Sequence, residues 1–141
     1  MQIHGSCHCG NLAFVLRWEP DPETIPARAC TCSFCVKHAA VWTADPAGVL
    51  RVRVREPAQV TKYEFATKTA EFHVCALCGV VALATCTIDG RLFAVVNVNA
   101  FDDVDPVLLR HAQVDFDGEA TESRLARRSQ RWIGDVEIVA G

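Results

Sequence analysis

Apolar side chains occupy alternate positions in two stretches of the chain. Leu12, Phe14, Leu16 and Trp18 alternate with Ala13, Val15 and Arg17, and Leu50, Val52 and Val54 alternate with Arg51, Arg53 and Arg55. A period of two belongs to a strand with one buried face, so both stretches predict β-strands, the second holding its guanidinium groups in water. Val60, Tyr63 and Phe65 mark another short strand, and Phe72 to Val74 lead into the turn Cys75-Ala76-Leu77-Cys78-Gly79. Val80 to Ala84 and Leu92 to Val98 flank Asp89-Gly90, a dipeptide that accepts positive φ and suits a tight hairpin.

Helical signals are sparse. Glu19-Pro20-Asp21-Pro22-Glu23 reads as an acidic loop, and Pro26 keeps the approach to Cys30 out of a helix. Asp105-Pro106 has the form of an N-cap followed by proline, predicting a turn or two of helix through His111. Arg124, Arg127, Arg128 and Arg131 recur at helical spacing, read as a solvated basic face diluted by Glu119 and Glu122 in preference to a basic stripe for an anionic partner.

Composition narrows the class. The 141 residues carry a net charge of −3 and are half apolar, enough for one independent core, so residues 1–141 are expected to form a single domain. The sequence pI of 5.9 disfavours nucleic acid as a partner. The longest apolar run, Val74 to Ala84, is 11 residues and too short to span a membrane. The first residues lack a basic region followed by an apolar one, so a cytoplasmic location is expected.

The 8 cysteines carry the chemistry. Seven fall into tight groups: Cys7-His8-Cys9, then Cys30-Thr31-Cys32-Ser33-Phe34-Cys35, then Cys75-Ala76-Leu77-Cys78. C-x-C and C-x-x-C spacings let neighbouring sulfurs converge on one tetrahedral ion. Cys7 and Cys9 with Cys75 and Cys78 would make a closed four-sulfur structural zinc site, and Gly79 would supply the positive φ of its turn. Cys30, Cys32 and Cys35 leave a fourth position open, the pattern of a reactive zinc, so two zinc ions per chain are expected. A redox dithiol and disulfides are the competing readings, and His38 could close the second site as a Cys3His set. Cys86 reads as a small buried hydrophobe, and His8 and His73 as neighbours of ligands.

The strings Gly5-Ser6-Cys7-His8-Cys9-Gly10, Cys30 to Cys35 and Phe72 to Gly79 resemble the glutathione-dependent formaldehyde-activating enzyme family, the GFA or CENP-V/GFA domain. The likeness spans residues 3–103, with all seven motif cysteines in order, and Ala40 departs from it where a glycine is frequent. It implies a mainly β fold, a small zinc-stapled β-tent of antiparallel sheets with short helical turns. It also implies a structural zinc on Cys7, Cys9, Cys75 and Cys78 and a catalytic zinc on Cys30, Cys32 and Cys35. The expected activity is that of a carbon–sulfur lyase, adding glutathione or a related thiol to formaldehyde or a similar small aldehyde to give an S-hydroxymethyl adduct. Three thiolates on a divalent ion leave it net negative, poor at making hydroxide and better suited to binding a thiolate. Lys37 and His38 are the candidate catalytic groups for proton delivery. The alternative is a non-catalytic zinc module that docks a partner.

Overall fold

The computed structural model describes residues 1–141. Eleven strands form two sheets. The smaller sheet contains β1 (Gln2–Ser6), β2 (Leu12–Arg17), β5 (Val49–Val54) and β11 (Asp135–Ala140), hydrogen-bonded in the order β1-β2-β5-β11. The larger sheet contains β3 (Ile25–Cys30), β4 (Val41–Thr43), β6 (Val60–Tyr63), β7 (Glu71–Cys75), β8 (Val81–Ile88), β9 (Arg91–Asn97) and β10 (Leu109–Val114). Its order is β10-β3-β4-β9-β8-β7-β6. Two α-helices, α1 (Ser33–His38) and α2 (Thr121–Arg131), and three 3₁₀ turns complete the chain. No helix is long and apolar enough to cross a membrane.

The alternating stretches behave as their pattern predicts. Leu12, Phe14 and Leu16 of β2 and Leu50, Val52 and Val54 of β5 are buried, and the two strands pair antiparallel with Phe14 opposite Val52. Space at this contact is tight: a Cβ on Gly5 would lie 2.1 Å from the Phe14 ring, so only glycine lets β1 approach. The β8–β9 hairpin turns at Asp89 (φ 50°) and Gly90 (φ 78°), as the dipeptide foretells. These two strands are buried on both faces through most of their length, which makes them the centre of the larger sheet.

The Cys75–Gly79 turn lies between β7 and β8, as its spacing predicts. Three features depart from the sequence reading. Phe65, expected on a strand with Val60 and Tyr63, lies beyond β6, which ends at Tyr63. The helix expected after Asp105 is one 3₁₀ turn (Pro106–Leu108), capped by the Asp105 side chain on the Val107 N–H, and His111 lies in β10. The mainly β, largely antiparallel architecture with short helices holds, and each sheet also carries one parallel edge pair, β10 on β3 and β11 on β5.

Candidate metal centres and the cavity they face

Two tight turns create the four-sulfur cluster. In the β1–β2 connection the Cys7 N–H bonds Leu12 O at 2.9 Å and Gly10 takes φ 84°. In the β7–β8 connection the Cys75 N–H bonds Val80 O at 3.0 Å, and Gly79 takes φ 83° while its N–H bonds Cys75 O at 2.8 Å. The Sγ atoms of Cys7, Cys9, Cys75 and Cys78 all lie within 4.8 Å of one another, with 3.7 Å between Cys7 and Cys9 and 3.5 Å between Cys9 and Cys75. A tetrahedral ion with metal–sulfur bonds of about 2.3 Å requires sulfur–sulfur edges of about 3.8 Å, so this spacing fits zinc. A disulfide needs about 2.05 Å, and all eight cysteines are free thiols.

Crowded thiols cannot all ionise without a cation. Burial pushes the Cys7 thiol up to about 12. Burial also opposes ionisation of Cys78, but the backbone N–H groups of Val80 and Cys9, together with the Cys75 and Cys7 thiols, outweigh it and bring Cys78 down to about 6. A closely held set that ionises unevenly is the donor chemistry a divalent ion completes.

The second cluster lies where β3 passes into α1. Cys30 ends β3, Cys32 is the N-cap of α1 and Cys35 lies within the helix, and their Sγ atoms also fall within 4.8 Å of one another. N–H groups surround these sulfurs. The Cys32 N–H points to Cys30 Sγ at 3.5 Å, the Cys35 N–H to Cys32 Sγ at 3.5 Å, and the Trp42 Nε1–H donates to Cys35 Sγ at 3.3 Å. The Cys35 thiol, hydrogen-bonded to Cys30, brings the latter down to about 5 and is itself pushed upward by that bond and by burial. Trp42 on β4 was not legible as a sulfur partner, because only the sheet register sets its indole over α1.

Around this cluster opens a cavity of about 790 Å³. One wall is aromatic: Phe65, Phe72 and Trp42 line it, and Phe34 stacks behind them with its ring 4.6 Å from Phe72 and 5.3 Å from Phe65. Arg28 of β3, paired with Trp42, and the arginines of α2 line the cavity as well. The basic stripe expected to face solvent is therefore turned toward the sulfurs. Arg127 makes a bidentate contact with Glu119, its Nη2 at 3.1 Å, and stacks over Phe116 at 3.7 Å, while burial and the charges of Arg131 and Arg127 lower the pKa of Arg28. The four-sulfur cluster does not border this cavity.

The other candidates lie elsewhere. Lys37 and His38 sit on the exposed end of α1, the His38 ring against Phe34 at 4.4 Å, and neither lines the cavity nor joins the three sulfurs. His8 is exposed in its turn. His73 is buried with Nε2 2.8 Å from Thr85 Oγ1, and desolvation, aided by Lys62, drives its pKa down to about 4, so it is a neutral core histidine. Cys86 is buried, as expected, with Arg128 Nη1 at 3.5 Å.

Comparison with known proteins agrees with this geometry. A crystal structure of a Rhodobacter sphaeroides protein, a structural-genomics target, is 30% identical with a TM-score of 0.56, covering 74% of this chain and 92% of that one. No curated protein matches the chain. The family model described as glutathione-dependent formaldehyde-activating enzyme matches residues 2–115, a span that holds both sulfur clusters. Seven cysteines converging in two groups on a mainly β scaffold, within a match that covers most of the sequence, place the chain in the glutathione-dependent formaldehyde-activating enzyme family.

Proposed function

We propose that this protein is a zinc-dependent carbon–sulfur lyase that adds a thiol of the glutathione type to formaldehyde or a similar small aldehyde. One observation carries the reading: of two sulfur clusters that could hold an ion, the three-sulfur one opens on a cavity large enough for a tripeptide-sized thiol, and the four-sulfur one does not. Cys7, Cys9, Cys75 and Cys78 are assigned to a structural zinc, and Cys30, Cys32 and Cys35 to a catalytic one. Bound there, zinc supplies an open coordination position that lowers the pKa of an incoming thiol.

The chain's own groups do the rest. The N–H groups of Cys32, Cys35 and Trp42 aim and stabilise the three sulfurs. Phe65, Phe72 and the Trp42 ring shield one side of the cavity from water and leave a small aldehyde an apolar approach. The substrate sulfur adds to the carbonyl carbon, the C=O π pair moves to oxygen, and the resulting alkoxide takes up a proton. The proton lost from the thiol balances the one gained, so no co-reactant is needed. Lys37 and His38, outside the cavity, are not required for that balance.

The test uses cobalt-substituted protein, which reports sulfur ligation through its charge-transfer absorption. Glutathione is expected to change that absorption and, with formaldehyde, to form adduct faster than the uncatalysed reaction. Cys32→Ser is expected to lose both effects and to retain one ion per chain. Absence of a spectral response to any thiol, or a single ion in the wild-type protein, would overturn the assignment in favour of a non-catalytic zinc module.

A further inference from the structure

The family match ends at residue 115, yet the cavity wall does not. Five arginines line it, Arg28 and four from α2, against the carboxylates of Asp115 and Asp117 and of Glu119 behind them, an excess of two positive charges. Glu119 accounts for Arg127 at 3.1 Å and approaches Arg124 at 3.9 Å. Arg28, Arg128 and Arg131 have no carboxylate within ion-pair distance.

Arg128 is the telling member. Only 7% of it is exposed, its Nη1 is held by Thr69 Oγ1 at 2.9 Å and by Cys86 Sγ at 3.5 Å, and its Nε is buried without a partner. Its Cζ also lies over the Trp132 ring at 4.9 Å, a contact that offsets part of the desolvation and of the repulsion from neighbouring arginines. Anions entering the cavity would offset the remainder, and guanidinium groups fit carboxylates in planar, paired contacts.

We infer that Arg28 and Arg131, with Arg128 behind them, bind the carboxylates of the substrate and make this protein selective for a carboxylate-bearing thiol over a neutral one. The inference rests on the thiol reaction proposed above and adds the residues that choose the thiol. Arg28 and Arg131 are therefore specificity residues: Arg28 lines the cavity beside its cross-strand partner Trp42, and Arg131 lines it from α2.

The experiment measures dissociation constants for the zinc-loaded full chain by calorimetry with four probes: glutathione, its diethyl ester, S-methylglutathione and 2-mercaptoethanol. Glutathione is expected to bind at least about tenfold more tightly than the diester, with a gap that shrinks as salt rises. Arg131→Gln, at an exposed position that leaves the core intact, and Arg28→Gln are expected to close most of that gap and to leave 2-mercaptoethanol binding unchanged. Arg53→Gln, on the other sheet, is expected to change nothing. S-Methylglutathione, unable to offer a thiolate, is expected to bind weakly but with the same dependence on Arg131. Equal affinity for glutathione and its diester, or a gap that survives Arg131→Gln, overturns the inference and leaves the thiol reaction standing. Arginine-dependent binding of glutathione no tighter than that of S-methylglutathione, with no response to 2-mercaptoethanol, overturns the reaction and leaves the anion-binding wall, and silence from all four probes overturns both.

Discussion

Single residues decide how firmly the three-sulfur site is held. The Trp42 indole donates to Cys35 Sγ at 3.3 Å while its ring packs near Phe72, with centroids 5.9 Å apart. Trp42→Phe removes the donor but keeps most of the ring. We expect metal affinity at this site to fall about 10- to 100-fold, read by competition with a chromophoric chelator, while the four-sulfur site keeps its affinity. The cysteine spacing foretold both clusters, because C-x-C and C-x-x-C are local constraints that hold whatever surrounds them. The partners of those sulfurs were not legible: Trp42 reaches Cys35 only because β4 pairs with β3, placing Trp42 opposite Arg28.

At the scale of elements, α2 inverts the usual helix. Its arginine side turns inward and Arg128 is buried. Periodicity in the sequence fixes which residues share a face, but tertiary contacts choose where that face points, so the stripe was read as solvated. Edge elements were hard to read for a related reason. β10 is exposed through its middle and shows no alternation, and it is a strand because the β3 edge offers it a ladder. β11 did carry a signal, with Val136 and Ile138 alternating with Asp135 and Glu137. β2 and β5 were legible because one-sided burial imposes a period that sequence records directly, and the β8–β9 hairpin because two apolar runs flank Asp89-Gly90.

Glu119 is what steadies α2. Its hydrogen bonds to Arg127, and the nearby charges of Arg127 and Arg124, hold its carboxyl below the usual range. A depressed carboxylate pKa contributes stability above the unfolded value near 4.5, and that contribution disappears as pH falls through the lower folded value. Glu119→Gln is therefore expected to lower the Tm by roughly 2–6 °C at neutral pH, and the difference from wild type is expected to close once the medium is acidic enough to protonate the wild-type carboxylate. Calorimetric melts of the two proteins across that range provide the check.

For the whole molecule, the four-sulfur cluster is the joint between the sheets. Cys7 and Cys9 come from the smaller one and Cys75 and Cys78 from the larger, with Cys9 and Cys75 66 positions apart. A metal ion held there would add its binding free energy to folding, because the unfolded chain holds no preformed site. Cys75→Ser, or a strong chelator, is expected to lower the Tm by about 10 °C or more, whereas Cys32→Ser costs much less, as thermal melts followed by circular dichroism can establish. The segment after β10 makes a second connection, since β10 adds to one sheet and β11 to the other with α2 between them. The helix is tied at both ends: Arg124 Nη2 donates to Phe116 O at 3.0 Å before it, and Ile133 exchanges backbone hydrogen bonds with Ala94 of β9 after it, so α2 acts as a strut across the cavity. We expect exchange of molecules with the cavity to follow diffusion and electrostatic attraction to its arginines, and therefore to slow as salt rises.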